Sequence, residues 1–310
     1  MDFKNREKRY RTLSETYKRK FGRKVFKVPL DGGFTCPNKD GTKGTAGCIY
    51  CSPSGSGDFT AGRTVAIKRQ FETVKARLND KWPDAFTMPY FQANTNTYAP
   101  IEVLRPMFEE AMTLDESVVG IAVATRCDAL DEAVGDLLET LNAIKPVQVE
   151  IGLQTIHEKT AEWINRGHDL KCFDEAVRML KQRGLEVVVH IINGLPGESE
   201  SDMLETIGHL NRLGIDGVKI HMLHIMEKTA LAKVYREKPF HLLTLAEYAD
   251  ITVKQIERLN PDTVIHRLSG DAPKDTLIAP KWTLKKFVVM NEIDKLLRKK
   301  DTYQGIHYRR

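Results

Sequence analysis

Short runs of β-branched and aromatic residues alternate along most of the chain with longer amphipathic stretches, the pattern of repeated βα units that build a parallel sheet. The short runs predict strands over Lys24–Pro29, Met88–Ala93, Ser117–Ala124, Val147–Leu153, Glu186–Ile192 and Gly217–His224. Between them, helical spacing of the apolar positions predicts helices over Val65–Asn79, Ile101–Met112, Asp131–Ala143, Phe173–Arg183 and Ser199–Leu213. Runs such as VVGIAVA and VVVHII are nearly continuous in apolar residues, as expected of strands covered by helices on one side and packed on the other.

The C-terminal ends of these runs turn abruptly polar. Asn94, Thr95, Asn96 and Thr97 follow the second, Thr125 and Arg126 the third, Gln154 and Thr155 the fourth, and Asn193 the fifth. In parallel α/β folds ligands collect at that edge. Beyond the sixth strand, helical stretches over Ala230–Arg236 and Leu245–Leu259 lead to HRLSGDAPKDTLIAPKW and a final basic helix, Leu284–Lys300. There is no internal repeat and no low-complexity tract. The organisation expected is a basic N-terminal extension (1–23), a βα region (24–228) and a C-terminal helical region with a basic end that closes the fold (229–310).

At 310 residues and 41% hydrophobic content, the chain suffices for one sizeable α/β domain with short additions. The first twenty residues are charged almost throughout, and no apolar run reaches the roughly 18 residues of a membrane span. A soluble, cytoplasmic protein without a membrane partner is therefore expected. The net charge of +5 is unevenly spread: residues 1–28 hold eleven Lys/Arg against three Asp/Glu, and residues 281–310 nine against three. Two basic terminal segments fit a nucleic-acid contact, and equally a pair of solvated helical tails.

Five cysteines, three of them crowded between Cys36 and Cys51, do not form the framework of a small disulfide-bonded secreted domain. Cys36, Cys48 and Cys51 make a C-x11-C-x2-C pattern in the polar, glycine-rich loop CPNKDGTKGTAGCIYC directly after the first strand. Three close thiolates can hold three irons of a cubane and leave the fourth iron open to another ligand. A structural zinc site stays open as the alternative, with Cys127, Cys172 or a histidine as fourth ligand, although this chain has only one CxxC.

The cysteine loop resembles that of radical S-adenosylmethionine (SAM) enzymes, specifically the branch similar to the catalytic subunit of Elongator, with the small bacterial YhcC/YtqA-type proteins as its nearest group. YFQANTNTYAP looks like the family's second-strand segment, VATRCDAL like the TRPD segment with Cys127 in place of proline, and EIGLQTIHEKTAEWINRGH like the E-x-G-x-Q strand and its RGH. The resemblance implies a partial (β/α)6 barrel of parallel strands holding one four-iron four-sulfur cluster on Cys36, Cys48 and Cys51. It also implies SAM contacts from Asn94 and Thr97 to the amino group, Glu150 to the ribose and Arg166 to the carboxylate, with Thr125 and Gln154 lining the pocket. A carboxylate acceptor suits a ribose diol, and a guanidinium fork suits a carboxylate. IINGLPGES resembles the turn that brings Gly194 close to adenosine, and Met222 stands where the family contacts adenine, although Glu227 and Lys228 replace the usual proline and glycine shortly after it.

The chemistry so implied is cleavage of SAM to a 5′-deoxyadenosyl radical, with flavodoxin or a ferredoxin as electron donor. Cys127 and Cys172 are too few for a second cluster on three thiolates, and no stretch remains for the acetyltransferase domain that the branch carries. The basic ends, with Tyr10, Tyr17, Phe21, Tyr303 and Tyr308, suit phosphate contact and base stacking, so RNA is the expected partner. The resemblance points to tRNA wobble uridine and to remodelling of its C5 side chain, carboxymethylaminomethyl to aminomethyl. Arg267, Asp271 and Lys274 in HRLSGDAPKD either face that substrate or form a structural turn. Competing readings are a small-molecule radical enzyme of the porphyrinogen type and a zinc-stabilised RNA-binding module.

Overall fold

Strands that are apolar on the helix-covered face and joined by helices can pair only in parallel, and the chain follows that rule. The computed structural model describes residues 3–55, 57, 60, 62 and 64–309. In order, these form α1 (Leu13–Phe21), β1 (Val25–Leu30), α2 (Ile67–Asn79), β2 (Phe86–Phe91), α3 (Ile101–Thr113), β3 (Ile121–Thr125) and α4 (Glu132–Asn142). The chain continues through β4 (Val147–Gln154), α5 (Glu158–Trp163), α6 (Leu170–Gln182), β5 (Glu186–Asn193), α7 (Glu200–Leu213), β6 (Gly217–Met222) and β7 (Ile225–Met226). It ends with α8 (Ala230–Glu237), α9 (Leu245–Arg258), β8 (Val264–Arg267), β9 (Leu277–Ala279) and α10 (Lys286–Lys299).

Seven strands form one parallel sheet in the order β1-β2-β3-β4-β5-β6-β8, and β7 pairs antiparallel with β9. The six expected strands are present and run in sequence order across the sheet, which makes the curled, open (β/α) barrel expected. A seventh strand, β8, was not anticipated: four residues, two of them His266 and Arg267, are too short and too polar to show a strand period. β8 extends the same sheet by pairing with β6.

One face of the sheet carries the main core. Val28, Leu30, Phe91, Val123, Val149, Ile151, Val187, Val189, Val218 and Ile220 lie there, all within 1% of complete burial or fully buried, against Phe71, Leu104, Phe108, Leu137, Leu138, Val177, Ile207 and Tyr248 from the helices. The opposite face encloses the barrel interior, and it is not packed with apolar side chains over its length. Toward the strands' N-terminal ends Val25, Met88 and Ala122 gather around Tyr17 of α1, whose hydroxyl bonds Met88 Sδ at 3.3 Å. α1 is thus a plug. Thr12 caps it by accepting from Glu15 N, and Gly22 ends it in the left-handed conformation.

The terminal segments are docked instead of trailing in solvent. Phe3, Tyr10 and Tyr17 are all at most 2% exposed. Ile265 N donates to Arg11 O (2.8 Å), so the N-terminal segment covers the edge left by β8, and Gln304 N donates to Arg9 O (2.9 Å), tying the two ends of the chain together. Lys4 and Arg9 pair with Asp301, and Lys8 with Asp294. Tyr10 and Tyr17 are core residues, which corrects their expected use as stacking platforms. No helix among the described residues is long and apolar enough to cross a membrane.

Candidate active site

The strands' polar C-terminal ends open into a cavity of about 650 Å³ that runs from the cysteine loop down into the barrel interior. Cys36, Cys48 and Cys51 line its mouth together with Asn94, Thr95, Thr125, Arg126, Gln154 and Arg166. The cysteine loop is held by the segment that follows α5: Asn38 Nδ2 donates to Asn165 O (2.6 Å), Asn165 Nδ2 to Gly47 O (2.7 Å), and Ile49 N to Ile164 O (3.0 Å). Asn38 Nδ2 also lies 3.8 Å from Cys48 Sγ. The glycine of the RGH triplet has a plain steric reason. Gly167 sits at φ +77°, and a Cβ there would lie 2.7 Å from Asn38 Oδ1.

Burial pushes the Cys48 thiol up and carries Cys51 to about 11, against the pull of Arg126 and Lys39. Only a bound cation would keep these buried sulfurs as thiolates at neutral pH. Among the described residues the ligand atoms of His157, Asp202 and Glu205 lie within 4.8 Å of one another, whereas those of the three cysteines do not all do so. A zinc tetrahedron with bonds of about 2.3 Å would hold its sulfurs roughly 3.8 Å apart. Three cysteine sulfurs at one cavity mouth suit a cubane with one iron left open. Thr95 Oγ1, on a residue 1% exposed, lines the same cavity without a hydrogen-bond partner, as expected where a polar ligand docks.

The expected ligand contacts divide. Asn94, Thr125, Gln154, Arg166 and Met222 line the cavity with the cysteines, as does Glu150 deeper down. Asn94 and Gln154 are held at φ +60° and +66°, and a register shift in the β4–β5 ladder at Gly152/Gln154 turns Gln154 at the strand end. Arg166, 1% exposed, donates to Leu153 O, Thr155 O, His168 O and Glu158, so four of its five N–H groups are committed to the protein. Thr97 and Gly194 stand beside the cavity's lining and not in it. The Thr97 hydroxyl bonds Ala129 O (2.5 Å) and meets Thr125 Oγ1 at 2.6 Å, so it positions Thr125. Gly194, at φ +82°, shapes a turn packed on Leu243. Of the three residues expected toward substrate, Arg267 and Asp271 line the cavity and pair at 3.2 Å, while Lys274 is exposed and outside it.

Below the mouth the cavity has a charged floor that the sequence reading missed. Glu150 Oε2 accepts from Tyr90 (2.7 Å), His190 (2.7 Å) and Lys219, and Oε1 accepts from Lys27. Three of the four donors crowd Oε2 and one holds Oε1, so the residue expected at the ribose is the centre of an ion-pair network. Burial opposes its ionisation, but Lys219 and Lys27 hold its carboxyl well below the usual range. Burial, with Lys27 and Arg267 nearby, pushes Lys219 down to about 7 despite Glu150. His190 stacks on His221 at 5.6 Å, and burial keeps both rings and that of His266 neutral. The signal was in the strands: Lys27 in VFKVPL, His190 in VVVHII, Lys219 and His221 in VKIHM, and His266 in VIHR each fall on the interior parity of an otherwise apolar run.

Comparison with known proteins shows the family. The Radical SAM superfamily model matches residues 40–210, and the Radical_SAM C-terminal domain model matches residues 215–299. The chain is 45% identical to YtqA of Bacillus subtilis over 99% of its own length and 95% of that protein. It is 29% identical to the tRNA uridine(34) acetyltransferase of Methanocaldococcus jannaschii over 51% of its own length and 32% of that protein. Among solved structures, the archaeal Methanocaldococcus infernus Elp3 with an N-terminal deletion superposes with a TM-score of 0.65 at 18% identity, covering 90% of this chain and 64% of that one. That last likeness is one of fold.

Proposed function

The chain belongs to the radical SAM superfamily, and from that premise we propose that it modifies the C5 side chain of tRNA wobble uridine, converting carboxymethylaminomethyl to aminomethyl. Its cofactors are a four-iron four-sulfur cluster and SAM, which when bound supply a 5′-deoxyadenosyl radical able to take a hydrogen atom from an unactivated carbon. Cys36, Cys48 and Cys51 would hold the cluster. Asn94 and Thr95 would meet the SAM amino group, and the remaining N–H of Arg166 the carboxylate. Gln154 and Thr125 would line the ribose, with Gln154 taking the part first expected of Glu150, and Met222 would lie against the adenine. The chain's own work is to orient these groups and exclude water.

The observation that carries the reading is that three cysteines, the polar strand ends and a charged interior share one cavity. The tRNA part is supported by the relative whose name specifies tRNA uridine 34 and by the excess of basic residues at the C-terminal end. A flavodoxin or ferredoxin would deliver the electron.

Anoxic reconstitution with iron and sulfide, followed by reduction with SAM, should release 5′-deoxyadenosine, and zinc should not substitute for iron. Nucleosides of bulk tRNA from a deletion strain should accumulate the carboxymethylaminomethyl form that the parent strain converts. Identical nucleosides in the two strains would overturn the tRNA assignment, and activity supported by zinc would overturn the radical one.

A further inference from the structure

The charged floor is the part of the cavity that cluster and SAM binding leave unexplained. In parallel sheets, residues two apart on one strand share a face. On β4, Gln154 therefore stands at the mouth with Gly152 below it, and Glu150 lies a further step of roughly 6–7 Å down into the barrel. Gly152 and, on the neighbouring strand, Ala124 carry almost no side chain, so the interior stays open down to Glu150. The floor there is not a neutral ion pair. Lys27 and Lys219 face the single carboxylate of Glu150, one cation in excess, and Arg267, paired with Asp271 nearer the rim, stands beside them.

Buried nitrogen atoms around it also lack partners. His221 Nε2, His224 Nε2 and both ring nitrogens of His266 are buried without a hydrogen bond in the protein. All three rings line the cavity. Buried polar atoms left unpaired cost about 1–3 kcal/mol each, and a fold keeps several side by side where a ligand completes them. A closed structural network would have satisfied them, as it does Glu150.

We propose that this floor is a binding site for a singly charged carboxylate group of the substrate, held by Lys27 and Arg267 and hydrogen-bonded by His221 and His266. The substrate enters with its anionic end pointing down the barrel, which brings the carbon next to that end up toward the cysteine mouth. One excess cation matches one carboxylate, whereas a phosphate dianion would leave charge uncompensated in a desolvated site. This deepens the wobble-uridine reading, because the side chain proposed there ends in a carboxylate. It does not depend on tRNA as the carrier.

The test uses anoxically reconstituted holoenzyme with SAM and no reductant, so that no turnover occurs. Calorimetry would compare 5-carboxymethylaminomethyluridine, 5-aminomethyluridine, sarcosine and inorganic phosphate. The carboxylate-bearing nucleoside should bind at least tenfold more tightly than the aminomethyl one, and sarcosine should bind where phosphate does not. Lys27→Met and Arg267→Gln should each erase that tenfold preference without changing the affinity for 5-aminomethyluridine. Both variants keep the buried Glu150–Lys219 pair, and His221→Phe, which removes no charge, serves as a third. Equal affinity for the two nucleosides, or variants that weaken both alike, would overturn the proposal. A sarcosine preference that survives while neither nucleoside binds would leave the floor standing and bring down the uridine reading instead.

Discussion

Glu150 shows how one residue's environment decides its part. Its side chain is fully buried and accepts from four donors, so Glu150→Gln would leave Lys27 and Lys219 without their counter-charge. Stranding buried charge costs about 3–5 kcal/mol, to be read from the urea midpoint at pH 7. The pH dependence has a definite sign. Because Lys219 and Lys27 hold the native carboxyl well below its unfolded value of about 4.3, its stabilisation is present above that value and is lost as pH falls through the native pKa. The gap between the wild-type protein and Glu150→Gln should therefore narrow on acidification, and an equal gap at pH 3.5 and pH 7 would contradict the network. Gly167 is the second residue whose surroundings leave no choice. Gly167→Ala places a Cβ 2.7 Å from Asn38 Oδ1 at a φ of +77°, a strain of about 1–3 kcal/mol. Since Asn38 ties Asn165 to the Cys48 loop, iron bound per chain after reconstitution should fall along with the melting temperature.

At the scale of elements, α1 is the feature that the sequence concealed. LSETYKRKF carries too few apolar residues to advertise a buried helix, and its basic residues suggested a tail. Yet Tyr17 closes the end of the barrel against Val25, Met88 and Ala122. Tyr17→Ala should cost about 3–5 kcal/mol, seen as a lower thermal midpoint, whereas Lys18→Ala on the exposed face of the same helix should leave it unchanged. The six expected strands were legible because a helix-covered sheet face demands unbroken apolar runs. Their polar ends were legible because ligand chemistry concentrates there. What could not be read was depth. Parity says that Lys27, His190 and Lys219 face the interior, but only the folded structure shows that all three side chains converge on Glu150. β8 escaped for the related reason that a four-residue edge strand takes its identity from the partner it pairs with.

Across the whole molecule, the position of α1 decides which basic segment can serve an RNA substrate. α1 packs at the strands' N-terminal ends, and the cysteine mouth lies at their C-terminal ends, about 20 Å away along six residues of extended chain. The N-terminal charges are also engaged: Lys4, Lys8 and Arg9 are paired with acidic residues of the C-terminal segment. The start of α10 is placed differently. Lys286 pairs with Asp271 at the rim of the cavity, and Lys281, Lys285 and Phe287 are exposed beside it, Phe287 by 80%. Cations next to an uncovered aromatic ring form a surface on which a nucleotide can stack while its phosphate is held. If tRNA is the substrate, Lys285→Glu should weaken its binding and reduce the slope of log affinity against log salt by about one. Phe287→Ala should weaken binding by about 5- to 150-fold, the worth of one stacked base, with the salt slope unchanged. Lys4→Glu serves as the distant control and should alter neither. An effect of Lys4→Glu as large as that of Lys285→Glu would place the RNA at the plugged end of the barrel, where it has no route to the cysteines.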